Sequence, residues 1–314
     1  MSMDLRQIEY FVRVAELGSF TRASIALGIA QPALSRQVRL LELEAGQPLL
    51  LRNGRGVTMT EAGRVMLELG RGVLHQVSRL RDELGRLRGG VAGGVSLGLP
   101  PSLSRLLTVP LVRAATRELP GVRLSVSEGL TTAMQESLAS GQLDLALLYN
   151  LPARPDIDSE YLLEEPLFVV SRYVAGARPH PVAPDALADM PLVIPRRPNA
   201  FRTLVEDALA RTGRPLRIAM EADGVDAILG LVADGVGSAV LGASAVAASA
   251  LAGRYAVHPI DGPGFTARIH LATSSQRPTT QAQRAMMALV RTALAESLDP
   301  VRRQGLPRLP ESWP

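Results

Sequence analysis

Four side chains within nine residues, Gln31, Ser35, Arg36 and Arg39, carry the most distinctive chemistry in this chain. At helical spacing they share one face, because Leu34, Val38 and Leu41 fall at i, i+4 and i+7 on the other. A guanidinium pairs bidentately with the O6 and N7 of guanine, and a glutamine amide does so with adenine. A helix that presents Gln, Ser and Arg outward and seals Leu and Val inward is suited to reading base edges in a major groove. Thr21 and Arg22 open the preceding helix, where backbone N–H groups face phosphate. Arg52 and Arg55 stand at a hairpin tip, Arg-Asn-Gly-Arg-Gly, that suits phosphate or minor-groove contact.

The elements that must hold these groups are legible around them. A helix over residues 5–17 places Leu5, Ile8, Phe11, Val12 and Ala15 on one face. A short second helix, capped by Ser19 or Thr21, carries Ala23, Ile25, Ala26 and Leu27 and is broken by Gly28. The third helix opens at Gln31-Pro32, since proline loses nothing in a first turn. Glu42 and Glu44, further along it, would repel phosphate and are expected to face away or pair with arginine. Thr60 then caps a long helix whose apolar residues are Met66, Leu69, Val73, Val77, Leu80, Leu84 and Leu87. Steps of three and four make a near-heptad seam, and a narrow stripe on so long a helix predicts pairing with a second copy.

The segments LRQIEYFVRVAELGSFTRAS, AQPALSRQVRLLE and RGVTMTEAG, in that order and spacing, resemble the LysR-type transcriptional regulators. The match is specific over about the first sixty residues; after Gly89 only the alternation of elements matches. Leu50-Leu51 departs from the Leu-Phe often found there, and the position stays apolar. The wing and RGVTMTEAG also look like the nitrogen-assimilation-control branch, some members of which need no effector. The resemblance implies a winged helix-turn-helix, a dimer or tetramer, contact with RNA polymerase and a small-molecule effector, with ligand contacts near Ser102 and Ser104.

The fold expected is an all-α N-terminal winged helix-turn-helix followed by an α/β domain of two lobes. Residues 1–59 are the DNA-binding domain, 60–88 a dimerisation helix, 89–94 a Gly-rich hinge, 95–300 the effector-binding domain and 301–314 a loose tail. Strands at 95–99, 122–128 and 143–149 alternate with helices at 102–118 and 131–140, which predicts a parallel sheet with helices on both faces. Further strands are read at 166–171, 191–195, 217–221, 238–242 and about 265–273, with helices at 200–212, 226–234, 243–251 and 281–298. Lobe I is about 95–163 and 269–300, lobe II about 164–268. Two lobes joined by two crossings resemble the periplasmic-binding-protein fold, and ligands in open α/β sheets bind beyond the carboxyl ends of strands.

Those ends supply the effector candidates. Pro101, Ser102 and Ser104 follow the first strand at a helix N-terminus that favours an anion. Glu128 and Tyr149 end the next two. Arg196 and Arg197 are positioned to clamp a carboxylate or phosphate, or to form an interlobe or surface salt bridge, with Asn199 and an apolar wall from Phe201 beside them. Ala222 and Asp223 end a later strand.

Composition bounds the rest. Cysteine is absent, so disulfides and thiolate chemistry are excluded. His75, His180, His258 and His270 are scattered and lack metal-ligand spacing; no P-loop, G-x-S-x-G or H-E-x-x-H occurs, so neither catalysis nor a cofactor is expected. All 34 basic residues are arginine, as GC-rich codons favour. Residues 1–88 hold 13 Arg against 9 acids and residues 89–314 hold 21 against 21, so the whole excess of +4 is N-terminal, where nucleic acid would want it. No signal peptide or apolar run of about 18 residues is seen, so a soluble cytoplasmic protein without membrane contact is expected. A solute-binding protein would leave the first 88 residues idle, and an enzyme has no constellation to run on.

Overall fold

A computed structural model describes residues 3–53, 56–86, 91–176, 178–210, 213–247, 249, 253–262 and 264–304. The chain divides into two compact units near Gly89.

In the N-terminal unit, α1 (Leu5–Leu17), α2 (Phe20–Leu27) and α3 (Gln31–Ala45) precede a hairpin of β1 (Leu50–Asn53) and β2 (Gly56–Met59), and α4 (Glu61–Arg86) follows. Phe11, Val14, Ala23, Leu34, Val38 and Leu41 form its core, sealed by Leu49. Val14 takes the buried place assigned to Leu5, which is 41% exposed, because the inward face turns further round than the Leu5 register implies. Gly28 closes α2 in the left-handed conformation at φ 66°, and Pro32 starts α3. Ser19, not Thr21, caps α2: its Oγ accepts the Arg22 N–H at 3.3 Å. Glu42 pairs with no arginine among the described residues. Its Oε1 accepts the N–H groups of Leu49 and Leu50 at 2.9 and 3.0 Å and so fixes the start of the hairpin. Thr60 caps α4 through the Gly63 N–H.

The C-terminal unit contains β3 (Ala92–Leu99), α5 (Pro101–Glu118), β4 (Gly121–Glu128), α6 (Thr131–Ser140), β5 (Leu145–Tyr149) and β6 (Ile157–Arg172). A 3-10 turn (Pro184–Ala188), β7 (Leu192–Ile194), α7 (Ala200–Ala210), β8 (Ile218–Glu221), α8 (Val225–Asp234), β9 (Ala239–Gly242), α9 (Ala243–Ala247), β10 (Tyr255–Pro259), β11 (Thr266–Ser274) and α10 (Gln281–Gln304) follow. The sheet is mixed, not all parallel. β4-β3-β5 are parallel, while β11 and β6 add antiparallel strands beside β5. The reason is β6, which is 16 residues long: its first part pairs with β11 and its last part with β9 and β10. One strand thereby belongs to both lobes, its pairing passing from β11 to β9 between Pro166 and Leu167.

β5 is buried along its length because helices cover both faces. Leu145, Leu147 and Tyr149 meet the core shared with α5 and α10, while Ala146 and Leu148 meet α6 through Met134 and Leu138. Three further expectations are corrected. Residues 92–94 of the expected hinge are strand, paired with Gly121, Val122 and Arg123. Residues 301–304 of the expected loose tail continue α10, and α9 is shorter than residues 243–251. The first half of β6 and all of β10 were not expected. Residues 87–90, 211, 212 and 305–314, with parts of the hinge and tail expectations, lie outside the described residues.

Candidate functional site

On the N-terminal unit, Gln31, Pro32, Arg36 and Arg39 are exposed along α3 and Ser35 is half-buried, opposite the sealed Leu34, Val38 and Leu41. Thr21 and Arg22 are exposed on α2. Arg22, Arg36 and Arg39 have no ion-pair or hydrogen-bond partner for their guanidinium groups among the described residues. The Arg22 backbone N–H, expected to face phosphate, is already held by Ser19. The β1–β2 hairpin docks on the end of α1, where the Val57 N–H donates to the Gly18 carbonyl at 3.0 Å. A Cβ at Gly56 would lie 2.7 Å from that carbonyl oxygen, and its φ is 138°, so only glycine lets the hairpin sit so close. Arg55 and the Arg52 side chain, expected to contact DNA, lie outside the described residues.

On α4, Leu69, Val73, Leu80 and Leu84 are 56%, 42%, 60% and 59% exposed, and Val77 is partly covered. Met66 differs, packing on the N-terminal core through the first turns of the helix. Leu87 lies outside the described residues.

Within the C-terminal unit, a cleft of about 570 Å³, counting its open mouth, lies between the lobes. Its walls are strand ends and helix N-termini from both sides: Pro101 and Ser102 after β3, Leu130 and Thr131 after β4, Tyr149 at the end of β5, Asn199 and Phe201 after β7, and Asp223 and Val225 after β8. α5 and α8 begin at Pro100 and Gly224 with no side-chain cap, which leaves backbone N–H groups for a ligand. Asn199 caps α7 instead, its Oδ1 accepting from Phe201 and Arg202.

At the floor sits a polar hub that sequence reasoning missed. Glu165 is fully buried. Its Oε2 accepts from the Tyr149 hydroxyl at 2.5 Å and its Oε1 from the Ser244 backbone N–H at 2.5 Å. The Tyr149 oxygen also lies 3.1 Å from Ser102 Oγ and 3.3 Å from Ser244 Oγ, and its ring tilts against Phe201 at 4.8 Å. Burial pushes the Glu165 carboxyl up from its ordinary range. Burial, and then the Glu165 carboxylate, push the Tyr149 hydroxyl well up as well. Alternation carried the signal: Leu163, Leu167 and Val169 all point inward, and residue 165 shares their register. Arg105 of α5 also reaches Asp226 of α8 at 3.0 Å, an ion pair from one lobe to the other that the sequence did not show.

Five of the expected effector residues lie outside the cleft lining. Ser104 turns into its own helix, with Oγ 3.2 Å from Thr108 Oγ1. Glu128 is exposed on the edge strand β4, and Ala222 packs on the second lobe's core. Arg196 is held by Asp223 at 2.5–2.9 Å and Arg197 by Glu206 at 2.9 Å, both within the second lobe. Those hydrogen bonds from Arg196 hold the Asp223 carboxyl below its usual range. Both arginines thus make ion pairs at the surface of the second lobe. Arg202, buried beneath them, binds Glu206, Glu221 and the Pro195 carbonyl and so sets the wall's shape.

Residues 5–64 match the bacterial regulatory helix-turn-helix protein family of lysR type, and residues 88–295 match the LysR substrate binding domain. The chain belongs to the LysR family. It is similar to the nitrogen assimilation regulatory protein nac of Klebsiella aerogenes, 37% identical over 77% of this chain and 79% of the relative. The Escherichia coli K12 protein of that name is 33% identical over the same shares. Among solved structures, full-length CbnR in complex with its target DNA aligns with a TM-score of 0.70 at 26% identity, over 94% of this chain and 100% of that one. This LysR-type chain is accordingly a transcriptional regulator with a DNA-binding helix-turn-helix domain and an effector-binding domain. No helix of the described residues is long and apolar enough to cross a membrane, and no cluster of metal-ligating side chains occurs among them.

Proposed function

We propose that α3 reads base edges through Gln31, Ser35, Arg36 and Arg39, while Thr21, Arg22, Arg52 and Arg55 hold phosphate. The carrying observation is the exposed face of α3, on which Arg36 and Arg39 have no partner among the described residues. The exposed stripe from Leu69 to Leu84 supports a homodimer through α4. Pairing two such units, as a dimer or as a tetramer of two dimers, places half-sites about 34 Å apart or a multiple of it. The protein works in the cytoplasm and contacts RNA polymerase there. Similarity to the nac relatives supports target genes of nitrogen assimilation.

The effector is a small carboxylate. The uncapped N-termini of α5 and α8 offer donors to an anion, while Leu130, Phe201 and Val225 offer apolar contact. Its binding changes the angle between the lobes and with it the DNA contacts. Similarity to transcriptional regulators supports a cleft that binds its ligand without reaction.

Footprinting the purified protein on DNA upstream of its own gene at two salt concentrations tests the reading. A discrete protected site that weakens steeply with salt is expected. Uniform weak binding there and across genomic fragments would overturn it. The same footprint, repeated with small mono- and dicarboxylates, identifies the effector.

A further inference from the structure

A second cavity, of about 650 Å³ counting its open mouth, lies on the second lobe and shares no residue with the cleft. It opens between β6, β10 and the segment leading to Val182. Its floor is apolar: Val169, Val182, Met190 and Ala256. Its polar groups are the guanidinium groups of Arg172 and Arg178, the imidazoles of His180 and His258 and the hydroxyls of Ser171 and Ser238, and no carboxylate lines it among the described residues. Four other arginines of this lobe, Arg196, Arg197, Arg202 and Arg214, are tied to carboxylates. Arg172 and Arg178 have no such partner among the described residues.

One hydrogen-bond chain turns a donor toward this cavity. The His180 backbone N–H donates to Nδ1 of His258 at 3.3 Å. That nitrogen therefore carries no proton, and the ring's N–H is at Nε2. Nε2 lies 3.0 Å from Ser171 Oγ and donates to it. The Ser171 proton is not used on the histidine and remains for another acceptor. The His258 ring is buried, and burial, then the neighbouring His180 ring 4.9 Å away, lower its pKa and keep it in this neutral form.

We propose that this cavity is a second small-molecule site, selective for an organic monocarboxylate with an apolar body. The carboxylate lies between the Arg172 and Arg178 guanidinium groups and accepts from Ser171. The hydrocarbon part covers the Val169, Met190 and Ala256 floor. Charge complementarity requires an anion, and the apolar floor favours a hydrocarbon-bearing one over inorganic phosphate.

Isothermal titration of the full-length protein with hexanoate, with hexanol as the uncharged control, tests this. Hexanoate is expected to bind saturably below roughly 10 mM, and hexanol to give no saturable heat. Arg172→Gln with Arg178→Gln should weaken this binding at least about tenfold, while melting as the wild type does. Ser102→Ala, in the cleft, should leave it in place. Hexanoate heat that survives the double substitution but vanishes in Ser102→Ala would overturn the proposal, as would no saturable heat over that range. Phosphate binding as tightly as hexanoate would overturn the assigned ligand class.

Discussion

Replacing Glu165 tests whether the cleft floor is held as the geometry implies. Glu165→Ala removes the acceptor of two buried donors, the Tyr149 O–H and the Ser244 N–H. A buried donor left without an acceptor costs about 1–3 kcal/mol. The tyrosine can turn its proton to Ser102 Oγ at 3.1 Å or Ser244 Oγ at 3.3 Å, so its share is small. The Ser244 N–H has no second acceptor within the hub. With the packing lost from a side chain that is 0% exposed, a total of about 3 kcal/mol is expected. Glu165→Gln keeps an oxygen for the Ser244 N–H and offers an N–H to the tyrosine oxygen, so it should cost about 1 kcal/mol or less. The two also differ with pH. The carboxyl's pKa is raised in the folded protein, so the native state holds the proton more tightly than the unfolded one. Its contribution is full below the ordinary glutamate pKa and is lost as pH rises toward the folded value, at about 1.4 kcal/mol per unit. Glu165→Gln has no such loss, so its stability relative to wild type should improve as pH rises above about 4.5. Urea unfolding of the full chain followed by circular dichroism, at several pH values, measures both. Equal losses for Ala and Gln, or a wild-type advantage that grows with pH, would refute the reasoning.

Other perturbations follow from the same contacts. Gly242→Ala would set a methyl 2.7 Å from Glu165 Oε1, and crowding a buried carboxyl should cost about 1–3 kcal/mol in the same unfolding assay. Leu80→Glu with Leu84→Glu, on the exposed stripe of α4, should lower the proposed self-association, read as a smaller species in sedimentation velocity, while helix content stays unchanged. Glu42→Ala releases the Leu49 and Leu50 N–H groups at the base of the hairpin, which should lower stability by about 1–3 kcal/mol and weaken DNA binding in a mobility-shift titration.

The N-terminal unit was almost fully legible because its signals are local. Gly28, Pro32 and Thr60 end or begin helices by their own backbone chemistry, and Leu34, Val38 and Leu41 repeat with the helix period. The C-terminal unit was legible as an alternation of elements, but not in its non-local pairings. No element is expected over the acidic stretch 158–165, although pairing with β11 makes it a strand, with Glu165 turned into the core. β10 was missed because His258 and Pro259 obscure its short apolar run; pairing with β6 decides it. Strand ends located the cleft, and Pro101, Ser102, Tyr149, Asn199, Phe201 and Asp223 line it. Adjacent arginines gave no such guidance. Whether Arg196 and Arg197 face a ligand or a carboxylate of their own lobe depends on Asp223 and Glu206, which sequence spacing does not reveal.

The claim that α3 reads sequence is tested most directly by the base preference of Arg36→Ala. Selection from a random DNA library, with wild type and variant side by side, gives the preference at every position of the site. One lost bidentate contact should weaken binding by about 1–3 kcal/mol and relax preference at one base position per half-site, leaving the others intact. A variant that binds uniformly more weakly, with every base preference preserved, would reduce Arg36 to a phosphate contact. A variant indistinguishable from wild type would contradict the placement of α3 in the groove.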